Sequence, residues 1–226
     1  MSGLFLSRAR LRRDAPLAAL AQLMVPEAGA ARAAAGHHLI WSLFADRPDR
    51  RRDFLWREER PGEFLALSTR EPTDPHGLFH LESKPFEPAL SPGDRLGFAL
   101  RANPVVARSA APGQRGKRHD VVMDALRNLP KGERAAARPE KVIEAGRAWF
   151  ARQGTAHGFR PEDGVGVDSY ARLRIPREGK DAVLGVLDLQ GVLVLEDPPA
   201  FLAALATGFG RGRAFGCGLM LIRRAR

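Results

Sequence analysis

The sequence predicts an α+β protein made of two consecutive modules. Three observations support this. Runs with the two-residue alternation of strands recur at both ends of the 226-residue chain. Stretches with helical spacing are interleaved with them. A proline-rich segment from Lys84 to Asp94, unsuited to a central strand or a helix interior, divides the two series. A hydrophobic content of 44% at this length is enough for two small cores.

Taken in order, Leu4 to Leu11 predicts a strand on which Arg8 and Arg10 share a face, because strand side chains alternate. Asp14 then caps a helix over Leu17 to Met24, with Pro16 in its first turn. A break at Pro26 to Gly29 separates it from a second helical stretch, Ala30 to Phe44. Asp53 to Trp56 and Glu63 to Ser68, on either side of Pro61-Gly62, suit two antiparallel strands. This β-α-β-β order is half of a ferredoxin-like unit. It assigns residues 1–83 to a first domain and residues 84–94 to an ordered linker. The second domain, residues 95–226, opens with a strand from Arg95 to Val106, followed by a basic loop over residues 107–118. A helix over Glu140 to Phe150, strands at Gly166 to Ile175 and Ala182 to Leu195, and a short helix from Pro198 to Thr207 come next. A glycine-rich loop and a last strand, Leu219 to Arg223, complete it.

Thirty-six Lys and Arg residues against 26 Asp and Glu leave a formal charge of +10, an excess that calls for a polyanion. Arginine- and alanine-rich runs also arise from a GC-rich genome, but a clustered basic stripe does not follow from base composition. Residues 101–138 hold nine basic side chains, Arg115, Lys117 and Arg118 among them, against three acidic ones. A hairpin of RNA held through its phosphates needs such a cationic track. Arg172 and Arg174 share a strand face with Tyr170, beside an expected turn at Glu178-Gly179, so this hairpin is a second candidate for reaching into a groove.

The segment Gly208 to Gly218 carries five glycines in eleven residues. A dinucleotide or Walker loop would run strand, loop, helix; here a helix precedes and a strand follows, so no nucleotide cofactor is expected. Two readings stay open: a tight structural turn, or a backbone saddle for RNA phosphates at Gly212 aided by Arg211 and Arg213. The single cysteine, Cys217, excludes an internal disulfide and a multi-cysteine zinc site. None of the six histidines shows the paired spacing of a helical zinc site, so no metal is expected. No charged N-terminal region leads into a long apolar core, and no run approaches the roughly 18 apolar residues of a membrane span. The expectation is a cytoplasmic protein with no membrane partner. His37 and His38 lie at the edge of the helical apolar stripe Leu39, Ile40, Leu43 and Phe44, where a surface role and an acid-base role are both open.

Three ordered segments together resemble the CasE family, the CRISPR-associated endoribonucleases of the type I-E Cascade complex. They are His37-His38-Leu39-Ile40-Trp41-Ser42-Leu43-Phe44 with Arg52-Asp53-Phe54-Leu55-Trp56; Lys84-Pro85-Phe86 leading to Phe98-Ala99-Leu100-Arg101-Ala102-Asn103-Pro104, with Gly116-Lys117-Arg118 downstream; and the loop ending Gly216-Cys217-Gly218-Leu219. The resemblance implies two tandem ferredoxin-like, RRM-like domains. It also implies metal-independent cutting of CRISPR precursor RNA at the base of each repeat hairpin, by attack of a ribose 2′-hydroxyl that leaves a 2′,3′-cyclic phosphate. It further implies continued binding to the cut hairpin and assembly with the other Cascade subunits. The family's catalytic histidine, four residues before the position matched by Trp41, falls on His37, with His38 as second choice. The tyrosine often found three residues ahead of it is Ala34 here, the feature that favours a non-cleaving RNA-binding subunit as the alternative. A ribosomal or DNA-associated protein fits the charge alone.

Overall fold

The computed structural model of the chain describes residues 3–12, 29–47, 49–109, 114, 116–175 and 182–225. The expected helix over Leu17 to Met24, the turn at Glu178-Gly179 and the candidate residue Arg115 lie outside the described residues.

Four strands form the first sheet: β1 at Leu4–Leu11, β2 at Phe54–Arg60, β3 at Glu63–Ser68 and β4 at Phe79–Phe86, in the order β2-β3-β1-β4. All its pairings are antiparallel, and the register sets Ser7 opposite Ala66 on one side and opposite Ser83 on the other. Helix α1, Gly29–Ser42, lies on one face. Its residues Leu39 and Ile40, with Leu43 and Phe44 just beyond its end, are buried with Ala9, Phe54, Trp56, Phe64 and Phe79. Burying each such aliphatic or aromatic side chain contributes roughly 1.5–3 kcal/mol, which outweighs the cost of about 1 kcal/mol for Gly36 inside the helix. Packing against the sheet, not propensity, therefore holds α1.

Strand β4 is where the structure departs most from the sequence reading. It runs through Lys84, Pro85 and Phe86, three residues assigned above to the connector, and pairs them with Leu6, Phe5 and Leu4. Proline cannot donate to a ladder, but β4 has a neighbour on one side only, so Pro85 needs no second partner.

The second sheet is built from β5 at Arg95–Ala102, β8 at Phe159–Pro161, β9 at Gly166–Ile175, β10 at Ala182–Leu195 and β11 at Met220–Arg224. Its order is β11-β5-β10-β8, with β9 also pairing β10. The expected strand from Arg95 to Val106 is interrupted at Asn103-Pro104, after which Val105–Arg108 (β6) turns back on Lys117–Asp120 (β7). The two ends of the expected loop, residues 107–108 and 117–118, are thus strand and pair with each other. Asp120 ends it by capping α2, Val121–Ala125, through Val122 N and Met123 N at 2.9 Å each. Helix α3 spans Arg134–His157, longer at both ends than the predicted Glu140 to Phe150, and runs through Pro139. Helix α4, Pro198–Thr207, is capped by Asp197 and ends at Gly208.

One core joins Phe98, Leu100, Trp149, Phe150, Phe159, Phe201 and Phe209, with Phe98 and Phe150 stacked at 4.4 Å. A smaller cluster of Leu55, Leu67 and Leu219 ties the back of the first sheet to the last strand. In both sheets the first strand of the series lies beside the last.

Candidate functional site

The site is built where α1 meets the C-terminal loop. His37 is half-buried and His38 exposed. Four residues along the helix, the Trp41 ring lies 5.8 Å from that of His37 and 5.3 Å from that of Phe54, while His38 lies 5.6 Å from His37. This apolar flank withdraws water from the imidazole. Burial, and then the charges of Arg52 and His38, hold His37 below its ordinary value near 6.5. Its Nδ1 is sealed from solvent with no hydrogen-bond partner.

Beneath α1, the indole of Trp56 separates two glycines. A Cβ at Gly36 would stand 2.9 Å from Trp56 Cη2, and one at Gly216 would stand 3.4 Å from the same atom. Gly216 takes φ +74°, which L side chains rarely adopt, and it follows a 3-10 turn at Arg213–Phe215 that contacts α1. The glycine loop is thereby docked on β2 beside the helix that carries both histidines.

Arg52, two residues before β2, is half-buried with its Nε closed off from solvent and unpartnered. Burial, and then the neighbouring charge of Arg213, lowers its proton affinity. Arg213 itself donates from Nη2 to Gly208 O at 3.1 Å. Arg52 thus lies near both His37 and Arg213, and among the described residues neither arginine pairs with a carboxylate; the adjacent Asp53 is engaged by Arg70 at 2.7 Å.

Other expected residues fall around this group. Arg172 and Arg174 are exposed on β9, a strand that α1 also contacts. Tyr170 on the same strand is not presented for stacking. Its hydroxyl donates to Asp120 Oδ1 at 3.1 Å, and burial with that carboxylate pushes its pKa up. Asp120 in turn lies over Gly185, where a Cβ would meet its Oδ2 at 1.5 Å. The contact fastens the β6–β7 hairpin, with exposed Lys117 and Arg118, to β10. Arg211 is exposed, and its backbone N–H donates to Asn103 O at 3.1 Å. Gly212 has φ +70°, and a Cβ there would meet Leu184 Cδ2 at 3.0 Å and Asn103 Cβ at 3.2 Å, so the chain itself supplies a reason for glycine. Arg8 does not join the group. It lies on the face of β1 turned away from α1 and pairs with Glu63 at 3.5 Å. Burial pushes the Cys217 thiol up to about 12, which leaves it without thiolate chemistry. Among the described residues, no three of His, Cys, Asp and Glu are grouped closely enough to hold a metal ion. No helix among them is long and apolar enough to cross a membrane.

Sequence reasoning missed Arg52 as a site residue and Trp56 as the spacer. The only signal for Arg52 was its place in the segment Arg52 to Trp56 already noted for its resemblance. Residues 4–224 match the family model described as CRISPR associated protein. The chain belongs to the CRISPR-associated protein family. Within this family it is 29% identical over 191 residues to the CRISPR system Cascade subunit CasE of Escherichia coli, covering 81% of this chain and 88% of that one. It is 36% identical over 151 residues to the CRISPR-associated endoribonuclease Cse3 of Thermus thermophilus, covering 62% and 60% of the two chains. Among solved structures, that of CRISPR endoribonuclease Cse3 bound to 19 nt RNA aligns with a TM-score of 0.70 at 27% identity, over 99% of each chain. The CasE resemblance read from the three segments therefore holds, as does the mixed architecture with antiparallel sheets. The family match gives His37 and the glycine loop a common context: both lie within the matched residues.

Proposed function

We propose that this chain is an endoribonuclease that binds CRISPR repeat hairpins in precursor RNA and cuts them to guide RNA. It then stays bound as a Cascade subunit. The observation that carries the reading is a half-buried histidine held below its ordinary value beside Arg52, an arginine that pairs with no carboxylate among the described residues, in a chain with a relative named an endoribonuclease. The two halves are read as tandem ferredoxin-like domains, the first carried by β4 past the expected boundary at residue 83 to Phe86, the second over residues 95–226. Their support is the shared strand order, in which the last strand of each series, β4 or β11, lies beside the first, and the first has a later antiparallel strand, β3 or β10, on its other side.

In this reading His37 accepts the proton of the ribose 2′-hydroxyl, because a lowered pKa keeps its imidazole neutral at neutral pH. The 2′-oxygen then bonds to phosphorus, the bond to the 5′-oxygen breaks, and that oxygen takes a proton from solvent. The products are a 2′,3′-cyclic phosphate and a 5′-hydroxyl, with no metal required. Arg172, Arg174, Lys117, Arg118, Arg211 and Arg213 bind phosphates of the hairpin, and the protein works in the cytoplasm where that RNA is made. The alternative, an RNA-binding subunit that does not cut, is favoured by Ala34 at the position where the CasE resemblance implies a tyrosine.

Incubating the protein with a labelled repeat hairpin in EDTA tests both readings. Cleavage to a cyclic-phosphate end, lost in His37→Ala, is expected. Cleavage only on adding a divalent cation would overturn the metal-free mechanism, and tight binding without cleavage under either condition would establish the alternative.

A further inference from the structure

We infer that Arg52 binds the phosphate at which the RNA is cut, with Arg213 as its companion from the glycine loop. The inference rests on the reading of His37 as the proton-transfer group.

Three arginines of the described residues have an Nε sealed from solvent without a hydrogen bond: Arg52, Arg57 and Arg101. Two of them are compensated. Arg57 pairs with Glu59, and its Nη1 donates to Ala99 O at 3.4 Å; Arg101 pairs with Asp188 at 3.2 Å. Arg52 has no such partner among the described residues, and its neighbour in sequence, Asp53, is taken by Arg70. A guanidinium removed from water and left without an anion is unfavourable, and arginine does not relieve it by losing its proton. The fold increases this cost by setting Arg213 close enough to repel it.

Two cations converging from separate segments, neither paired with an acid among the described residues, form a site that an anion completes. Its position agrees with the chemistry. Arg52 enters β2 two residues ahead of Phe54, whose ring meets Trp41, and Trp41 in turn meets His37. Arg213 opens the turn that lies against α1. Arg52 is therefore near the imidazole, and Arg213 is near Arg52. The phosphorane formed when the 2′-oxygen attacks carries more negative charge than the diester, so fixed cations there accelerate cleavage more than they tighten binding. A guanidinium fork also matches two non-bridging oxygens. Arg52 transfers no proton in this role.

The test compares Arg52→Gln and Arg52→Lys with the full-length wild type on a repeat hairpin in EDTA, under single-turnover conditions with protein in excess. Affinity is read separately on the same hairpin carrying a 2′-deoxy nucleotide at the cut. Arg52→Gln is expected to cut about 10²–10³-fold more slowly, with affinity within a few fold, a melting temperature no lower than wild type, and partial recovery in Arg52→Lys. A wild-type rate in Arg52→Gln, alongside an inactive His37→Ala, would overturn the inference alone. Equal losses of rate and melting temperature in both Arg52 variants would also overturn it, by showing a structural part. Full cleavage by His37→Ala would instead remove the underlying reading.

Discussion

Gly36 lies against the indole of Trp56, closer than any side chain at that position would allow: a Cβ there would stand 2.9 Å from Cη2 and 3.3 Å from Phe64 Cε1. Two effects oppose each other in Gly36→Ala. Alanine improves helix propensity by about 1 kcal/mol, whereas overpacking a closed core costs roughly 1–3 kcal/mol. Because Trp56 is 1% exposed and also held by Gly216, the second effect should win. The expected result is a lower melting temperature with a larger loss of cleavage than of RNA affinity, since α1 moves His37 with it. A variant more stable than wild type would show that the helix can shift away freely.

The lowered pKa of His37 makes a prediction about stability against pH. The unfolded chain, near the ordinary value of 6.5, binds the proton more readily than the folded one. The stability attached to His37 is therefore complete above about pH 6.5 and is lost as the pH falls through that value toward the lower folded one. His37→Gln removes the group, so its melting temperature should drop less than that of wild type between about pH 7.5 and about pH 5. Parallel curves for the two proteins would contradict the burial-driven shift.

Lys117 and Arg118 are exposed on β7, on the hairpin that Asp120 fixes to β10. If each meets one RNA phosphate, replacing both with alanine should lower the slope of log affinity against log salt by up to about two units. Titrations at several salt concentrations measure this. An unchanged slope would return both to ordinary solvated charge.

For Gly212→Ala, φ +70° and the nearness of Leu184 and Asn103 predict a loss of stability of about 1–2 kcal/mol, with RNA affinity per folded molecule retained. Thermal melts and binding on the same samples decide it. A normal melt with weakened binding would restore the saddle of backbone and phosphate as the reason for this glycine.

Much of the architecture was legible in local pattern. Strands β1, β3, β9 and β10 and helix α4 begin and end at the residues expected for them. Strand β4 was not legible because it is a sheet edge with Pro85 and with exposed His80, Glu82 and Lys84, so it shows neither a continuous apolar run nor the absence of proline. Helix α3 extends past the expected Glu140 to Phe150 at both ends, through Pro139 on one side and to the left-handed Gly158 on the other. At the site, the histidine pair could be named from the edge of an apolar stripe and from family resemblance. Arg52 could not be told from its neighbours Arg50 and Arg51, because an Nε closed off from solvent without a partner is a property of the folded surroundings.

The docking of the glycine loop on Trp56 has a consequence for synthesis. Ribosomes release the chain from its N-terminus, so His37, Arg52 and Trp56 emerge before Arg213 and Gly216 are made. The imidazole therefore waits on α1 beside a half-finished cationic surface until the closing segment arrives. A nascent or truncated polypeptide lacks the second guanidinium and the turn that holds it, so on the proposed chemistry transcripts are protected from premature cutting by the order of translation itself.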